Sequence, residues 1–144
     1  MAELAHVQGV WNQMKPNSPV YRLLLNDIEL KSASHGAIIA HLKIDASHLN
    51  SKGGLHGIVS ACLVDWAGGM AIASTGREKT GVSTDLHVTY VSSAKEGDIL
   101  EIEGKTSKVG GTLGFTTVEI RKLNVEGGAG TVVCTGTHTK YVKV

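Results

Sequence analysis

Residues 55–75, LHGIVSACLVDWAGGMAIAST, form a long, almost wholly apolar run with one carboxylate, Asp65, near its middle. A lipid-facing carboxylate at mid-span would cost about 3 kcal/mol or more, so a membrane span is disfavoured and no stable membrane insertion is expected. The run also holds His56, Gly57, Gly68 and Gly69. Such small residues suit a helix pressed closely against other backbone. The reading is a helix buried on nearly every side within a globular fold.

A helix with so little polar surface needs cover, and the flanking sequence supplies strands. Ile28–Ser34 and Ala37–Ile44 are split by His35-Gly36, a hairpin signal, with Ile38, Ala40, Leu42 and Ile44 at period two. After the helix come Val82–Tyr90, with Val82, Thr84, Leu86, Val88 and Tyr90 alternating, then Ile99–Ser107, Leu113–Leu123 and Thr131–Val142. Val109-Gly110-Gly111-Thr112 and NVEGGAG read as turns between the last three. Leu4, Val7, Trp11 and Met14 predict a short helix over 3–14, which the Pro16–Pro19 segment should stop. The expected class is α+β, one domain over residues 1–144: a curved antiparallel sheet wrapped around a long central helix, with a short N-terminal helix. The open sheet edges invite pairing with a second copy.

Composition excludes several functions. Fourteen Lys and Arg against 13 Asp and Glu leave a formal charge of +1, and aromatics make up 4%. That offers neither an electrostatic footprint nor a stacking platform for nucleic acid. The seven histidines lack HExxH spacing and the two cysteines, Cys62 and Cys134, lie far apart, so no metal site is expected. The cysteines read as buried, reduced thiols of an intracellular protein. The N-terminal segment has Glu3 and no apolar core, so neither a secretory nor a transit peptide is expected.

The chemistry-bearing pattern is Asn50-x5-His56-Gly57-x7-Asp65. The first amides of a helix have no intrahelical partner and sit at the positive end of its dipole, where they suit an oxyanion or a polarised carbonyl. Gly57 lets a substrate approach closely because it has no Cβ. Asp65, among apolar neighbours, must be protonated, paired or functional, and is a candidate general base or nucleophile. Ser83, at the start of the next strand, is a weaker candidate for orienting a water or the Asp65 carboxylate. Gly57 and Asp65 are eight residues apart, about 12 Å along a helix, too far to serve one reacting carbon from the same chain. A shared site therefore implies a two-fold dimer with two equivalent interface sites.

HLNSKGGLHGIVSACLVDWAGGMA, GVSTDLHVTYVSSAKEGDILEIEGKTSKVGGTLGF and GTHTKYV, in this order, resemble the hotdog-fold thioesterases, in particular the PaaI-like branch and the eukaryotic acyl-coenzyme A thioesterase 13 group. The likeness spans about residues 45–142. It implies hydrolysis of an acyl-CoA thioester without a metal or cofactor, CoA being part of substrate and product, by a homodimer that assembles into a homotetramer in the cytoplasm or mitochondrion. By the same resemblance, Asp65 is the catalytic carboxylate and Gly57 the amide that polarises the thioester carbonyl. Asn50 and His56 position water and thioester, and Ser83 orients the nucleophile. The segments Tyr90, Val91, Ser92, Ser93, Ala94, Lys95 and Lys108, Val109, Gly110, Gly111, Thr112, Leu113 correspond to CoA-binding segments, with Lys140 a weaker phosphate contact. Two positions depart from the pattern: Ile58, where many relatives have Gly, and Ser93, where close relatives often have Pro. A non-catalytic acyl-CoA or lipid-sensing module on the same fold is the alternative reading.

Overall fold

The computed structural model describes residues 2–124, 126, 128 and 130–143. Six strands, β1 (Glu29–Ser34), β2 (Ala37–Lys43), β3 (Val82–Tyr90), β4 (Ile99–Val109), β5 (Leu113–Lys122) and β6 (Val132–Tyr141), form one antiparallel sheet in the order β1-β2-β4-β5-β6-β3. The sheet curves around helix α3 (Gly57–Ala73), as the apolar run requires. Two further helices, α1 (Ala2–Met14) and α2 (Pro19–Leu24), precede the sheet, linked by a 3-10 turn over Lys15–Asn17. No helix among the described residues is long and apolar enough to cross a membrane.

Twelve of the 17 residues of α3 are buried; the other five are Gly57, Ile58, Ala61, Cys62 and Asp65. These five recur at helical spacing, so they form one open stripe on the N-terminal half of an otherwise enclosed helix. Elsewhere the sheet comes close to the helix backbone, at positions where a Cβ would not fit. A Cβ on Gly104 of β4 would lie 2.6 Å from the Ala67 carbonyl oxygen, and one on Gly136 of β6 2.7 Å from Val64 Cγ1. The period-two residues Ile38, Ala40, Leu42 and Ile44 all face this core. Val7, Val10 and Trp11 of α1 close one side, with Trp11 edge-on to Trp66 at 5.4 Å.

The inward face of β6 is partly polar. Cys134, Gly136, His138 and Lys140 alternate towards α3, and all four are buried. Lys140, offered from the sequence as a phosphate contact, is only 6% exposed, with its Nζ beside Gly69. The helix leaves room by omitting side chains: a Cβ on Gly68 would sit 2.8 Å from His138 Nδ1 and 2.7 Å from Thr116 Oγ1. Gly68 and Gly69 thus accommodate a polar cluster as well as close packing.

Three further expectations change. Pro16–Pro19 does not simply end the N-terminal helix. Ser18 caps α2, its side chain accepting from the Tyr21 N–H, and Pro19 occupies the first helical turn, where its missing donor costs nothing. Cys62 is half-buried rather than buried. The alternation of β3 does not put one face in the core: it is an edge strand, exposed at every position except the half-buried Val88. The NVEGGAG turn lies in part outside the described residues, at 125, 127 and 129.

Two predictions follow from this packing. Gly104→Ala drives a methyl into a helix carbonyl that cannot rotate away, and should cost about 1–3 kcal/mol in urea or thermal unfolding. His138 is fully buried; burial first, then Lys140, lowers its pKa from the usual value near 6.5, against opposing charge from Asp65 and Asp85. An unfolded chain then binds a proton that the folded one refuses. This group's contribution to stability is full above the usual value and is lost as pH falls towards the folded value. The melting temperature of the wild type should fall more steeply below pH 6.5 than that of His138→Gln.

Candidate active site

The loop that leads into α3 is built to present a helix start. Asn50 closes it: its Oδ1 accepts from Lys52 N–H at 2.9 Å and Gly54 N–H at 3.0 Å, and its own N–H donates to Gly54 O at 2.7 Å. Leu55 N–H donates to Ala94 O at 2.8 Å, which ties the loop to the segment after β3. His56 is the N-cap, with Nδ1 accepting from Ile58 N–H at 3.0 Å. That bond fixes the neutral tautomer with its proton on Nε2. The Gly57 N–H donates to no acceptor among the described residues. An unpartnered amide at the positive end of a 17-residue helix is a ready donor to a developing oxyanion. The Tyr90 hydroxyl donates to Gly57 O at 2.9 Å, and its ring covers the space a Cβ on residue 57 would take.

Asp65 lies two turns further along the open stripe. Its side chain is 32% exposed, so its apolar sequence neighbours do not enclose it fully. It is also well partnered. The Tyr21 hydroxyl of α2 donates to Oδ2. The Ser83 hydroxyl of β3 lies 3.4 Å from Oδ1 and 2.6 Å from His138 Nε2, which is itself 3.6 Å from Oδ1. A register shift between Ser83 and Asp85 lets both Ser83 and Leu86 face the helix. Asp65 opens into a cavity of about 460 Å³ whose walls include Val20, Ile58, Ala61, Cys62 and Leu86. Burial and the Asp65 charge push the Cys62 thiol up to about 12, so it is no thiolate nucleophile at neutral pH. A larger, mixed-charge cleft of about 720 Å³ beside Lys43 and Glu96 holds none of these residues.

The candidates thus fall into separate groups within one chain. Asn50, His56, Gly57 and the 90–95 segment share the helix start, where Gly54 and Lys95 form a bridge. Asp65 and Ser83 meet further along α3. The Lys108–Leu113 hairpin lies at the opposite end of the sheet from the 90–95 segment: Leu113 pairs with Tyr141, whereas Tyr90 pairs with Cys134. Seven residue steps along β6 separate those levels, about 23 Å, so the two segments of one chain do not face each other. Lys95 and Lys108 are exposed, whereas Lys140 points into the core and presents no ammonium at the surface. No three potential metal ligands converge among the described residues.

Sequence reading missed Tyr21 and His138 as partners of the Asp65 site. Ser18-Pro19 carries the helix-start signal that would have framed Tyr21. The β6 alternation puts His138 on the same face as Cys134.

Comparison with known proteins identifies the family and the fold. Residues 52–129 match the thioesterase superfamily. The chain is 37% identical to acyl-coenzyme A thioesterase 13 of Homo sapiens over 85% of its length and 84% of the relative's. The crystal structure of zebrafish thioesterase superfamily member 2 superposes with a TM-score of 0.80 at 34% identity, covering 91% of this chain and 92% of that one. A hypothetical thioesterase protein from Streptococcus pneumoniae, solved with coenzyme A, gives 0.72 at 28% identity, covering 81% and 88%. A curved antiparallel sheet around one central helix, with a free amide at the helix start and a carboxylate on the same open stripe, is here the hotdog fold, and the chain belongs to the thioesterase superfamily as a thioester hydrolase.

Proposed function

We propose that the chain hydrolyses medium- to long-chain fatty acyl-CoA to the free fatty acid and CoA, using its own side chains and no metal or cofactor. The observation that carries this reading is the open stripe on α3, with the unpartnered Gly57 N–H at one end and Asp65 beside an apolar cavity at the other. The thioester carbonyl accepts from Gly57 N–H. Asp65 takes a proton from a water oriented by Ser83 as the water oxygen bonds to the carbonyl carbon. The tetrahedral oxyanion is held at the helix start. It collapses with cleavage of the C–S bond, and the CoA thiolate recovers the proton from Asp65. The His56 Nε2 and Asn50 Nδ2 bond to nothing among the described residues and are available to the thioester and the leaving group. The apolar walls at Val20, Ile58, Ala61 and Leu86 suit an alkyl chain.

Gly57 and Asp65 of one helix lie about 12 Å apart, so the reading requires that they come from two subunits. The exposed edge strand β3, with Val82 61%, Leu86 40% and Tyr90 59% exposed, is the natural seam for a two-fold dimer. Subunit pairing also gives the 90–95 segment and the 108–113 hairpin a way to share one CoA, with Lys95 and Lys108 exposed to its phosphates.

Thiol release from a panel of short, medium and long acyl-CoA esters tests the activity. Asp65→Ala should lose at least ~10²-fold in kcat. Folded, oligomeric wild type that releases no thiol from any ester would overturn the reading in favour of an acyl-CoA-binding module. The shared site has its own test. Gly57→Pro removes the N–H: the backbone of His56, at φ −69°, ψ 136°, already suits a following proline, but the Tyr90 ring, 3.2 Å from the Cβ position, must shift to admit it, so the variant's melting temperature is recorded alongside. Asp65→Asn and Gly57→Pro subunits, each inactive alone, should recover about a quarter of wild-type activity when co-expressed, since half the dimers then carry one intact site. No recovery in verified mixed dimers would place both groups in one subunit.

A further inference from the structure

Asp65 is gripped from two sides, and only one side belongs to the chemistry proposed above. Ser83 and His138, from the sheet, address Oδ1. Oδ2 is taken by the Tyr21 hydroxyl, which arrives from α2, a helix of the N-terminal segment. That placement is well supported. The Ser18 cap holds the start of α2, and the Leu25 N–H closes its end on Tyr21 O at 2.8 Å. The Tyr21 ring lies edge-on to Trp11 at 5.6 Å, and Trp11 in turn packs on Trp66, the neighbour of Asp65 in α3. The phenol thus reaches the carboxylate through a chain of packed rings.

We propose that Tyr21 is a positioning residue for hydrolysis: its hydroxyl pins Oδ2 of Asp65, so that Oδ1, beside Ser83, is the oxygen that accepts the proton of the attacking water. This rests on Asp65 acting as the base. A carboxylate held at one oxygen keeps its plane, and a general base must present its lone pair within hydrogen-bond reach of the water. Burial, reinforced by the Asp65 charge, pushes the Tyr21 phenol well above the usual tyrosine range. It therefore remains a donor throughout the pH range in which the protein would work. The bond is charge-assisted, the stronger class of hydrogen bond. Tyr21 also lines the cavity beside Asp65, but on this account its hydroxyl serves the reaction only through Asp65.

The test is kinetic. Thiol release is followed for wild type, Tyr21→Phe, Asp65→Asn and the double variant on one medium-chain acyl-CoA, with melting temperatures recorded alongside. Tyr21→Phe keeps the ring that packs on Trp11 and deletes only the hydroxyl. Its kcat should fall about 10-fold, with KM within twofold and little change in melting temperature. In the Asp65→Asn background the same substitution should cost nothing more. Unchanged kcat in Tyr21→Phe overturns the proposal, as does an equal loss in both backgrounds, or a fall in kcat matched by a rise in KM and a lower melting temperature. If Tyr21→Phe does not fold, ¹³Cζ NMR of labelled tyrosine decides instead: Tyr21 should titrate at lower pH in Asp65→Asn than in wild type, and an unmoved titration overturns the contact. Failure of the underlying reading looks different, since Asp65→Asn would then retain wild-type kcat.

Discussion

The close approach of α3 to the sheet is the constraint on which the rest of the molecule depends. At Gly104 and Gly136 the strands come so near the helix that a methyl group would collide with it. Nothing larger than glycine fits, so the sheet must curve, and its curvature encloses the helix on most of its circumference. An edge is left over. Beyond β6 lies only β3, and next to its line the helix shows Gly57, Ile58, Ala61, Cys62 and Asp65. The open stripe is therefore the part of α3 that one sheet cannot cover. A reactive carboxylate on a buried helix is accessible nowhere else.

The polar cluster behind Asp65 follows from the same packing. Burying a lysine and a histidine inside a core is costly unless charge or hydrogen bonds offset it. Gly68 and Gly69 leave the space, and Asp65 supplies the compensating charge: it opposes the lowering that burial imposes on both Lys140 and His138. Ser83 then links His138 to the carboxylate through a 2.6 Å contact. His138 Nδ1 and the Trp66 indole N–H are left without partners among the described residues. The polar resources of this core are thus concentrated on one oxygen of one carboxylate, while Tyr21 is the one partner of Oδ2 among the described residues.

Legibility followed locality. The apolar run with Asp65 inside it, and the period-two run of β2, announce their structure within a few residues, so the helix inside a curved sheet could be read directly. The 12 Å separation of Gly57 and Asp65 needed only helix geometry. What stayed hidden depends on contacts distant in sequence. Tyr21 reaches Asp65 across 44 positions and His138 reaches Ser83 across 55. Pro16 and Pro19 were read as a stop, although Ser18-Pro19 is equally a start, because a proline signals both ends of helices. Lys140 was open to reading as a phosphate contact because no single-residue preference reveals that glycines on a facing helix have made room for it in the core. The opposite placement of the 90–95 and 108–113 segments is a matter of strand register, which turns and periodicity do not specify across non-adjacent strands.

The exposure of β3 and the split of the candidate residues along α3 have one solution in common. A single chain leaves the outer edge of a nine-residue strand unpaired among the described residues and a partly open, partly apolar cavity next to its carboxylate. It also leaves a free amide about 12 Å from that carboxylate. Each of these is unfavourable or idle alone. Pairing β3 with its copy across a two-fold axis would satisfy the strand's free backbone groups. Because paired edge strands run antiparallel about such an axis, it would also bring the start of one helix towards the middle of the other. The edge that the fold cannot bury and the site that one helix cannot complete would then be closed by the same contact, so on the proposed reading folding, assembly and catalysis are not separable properties of this chain.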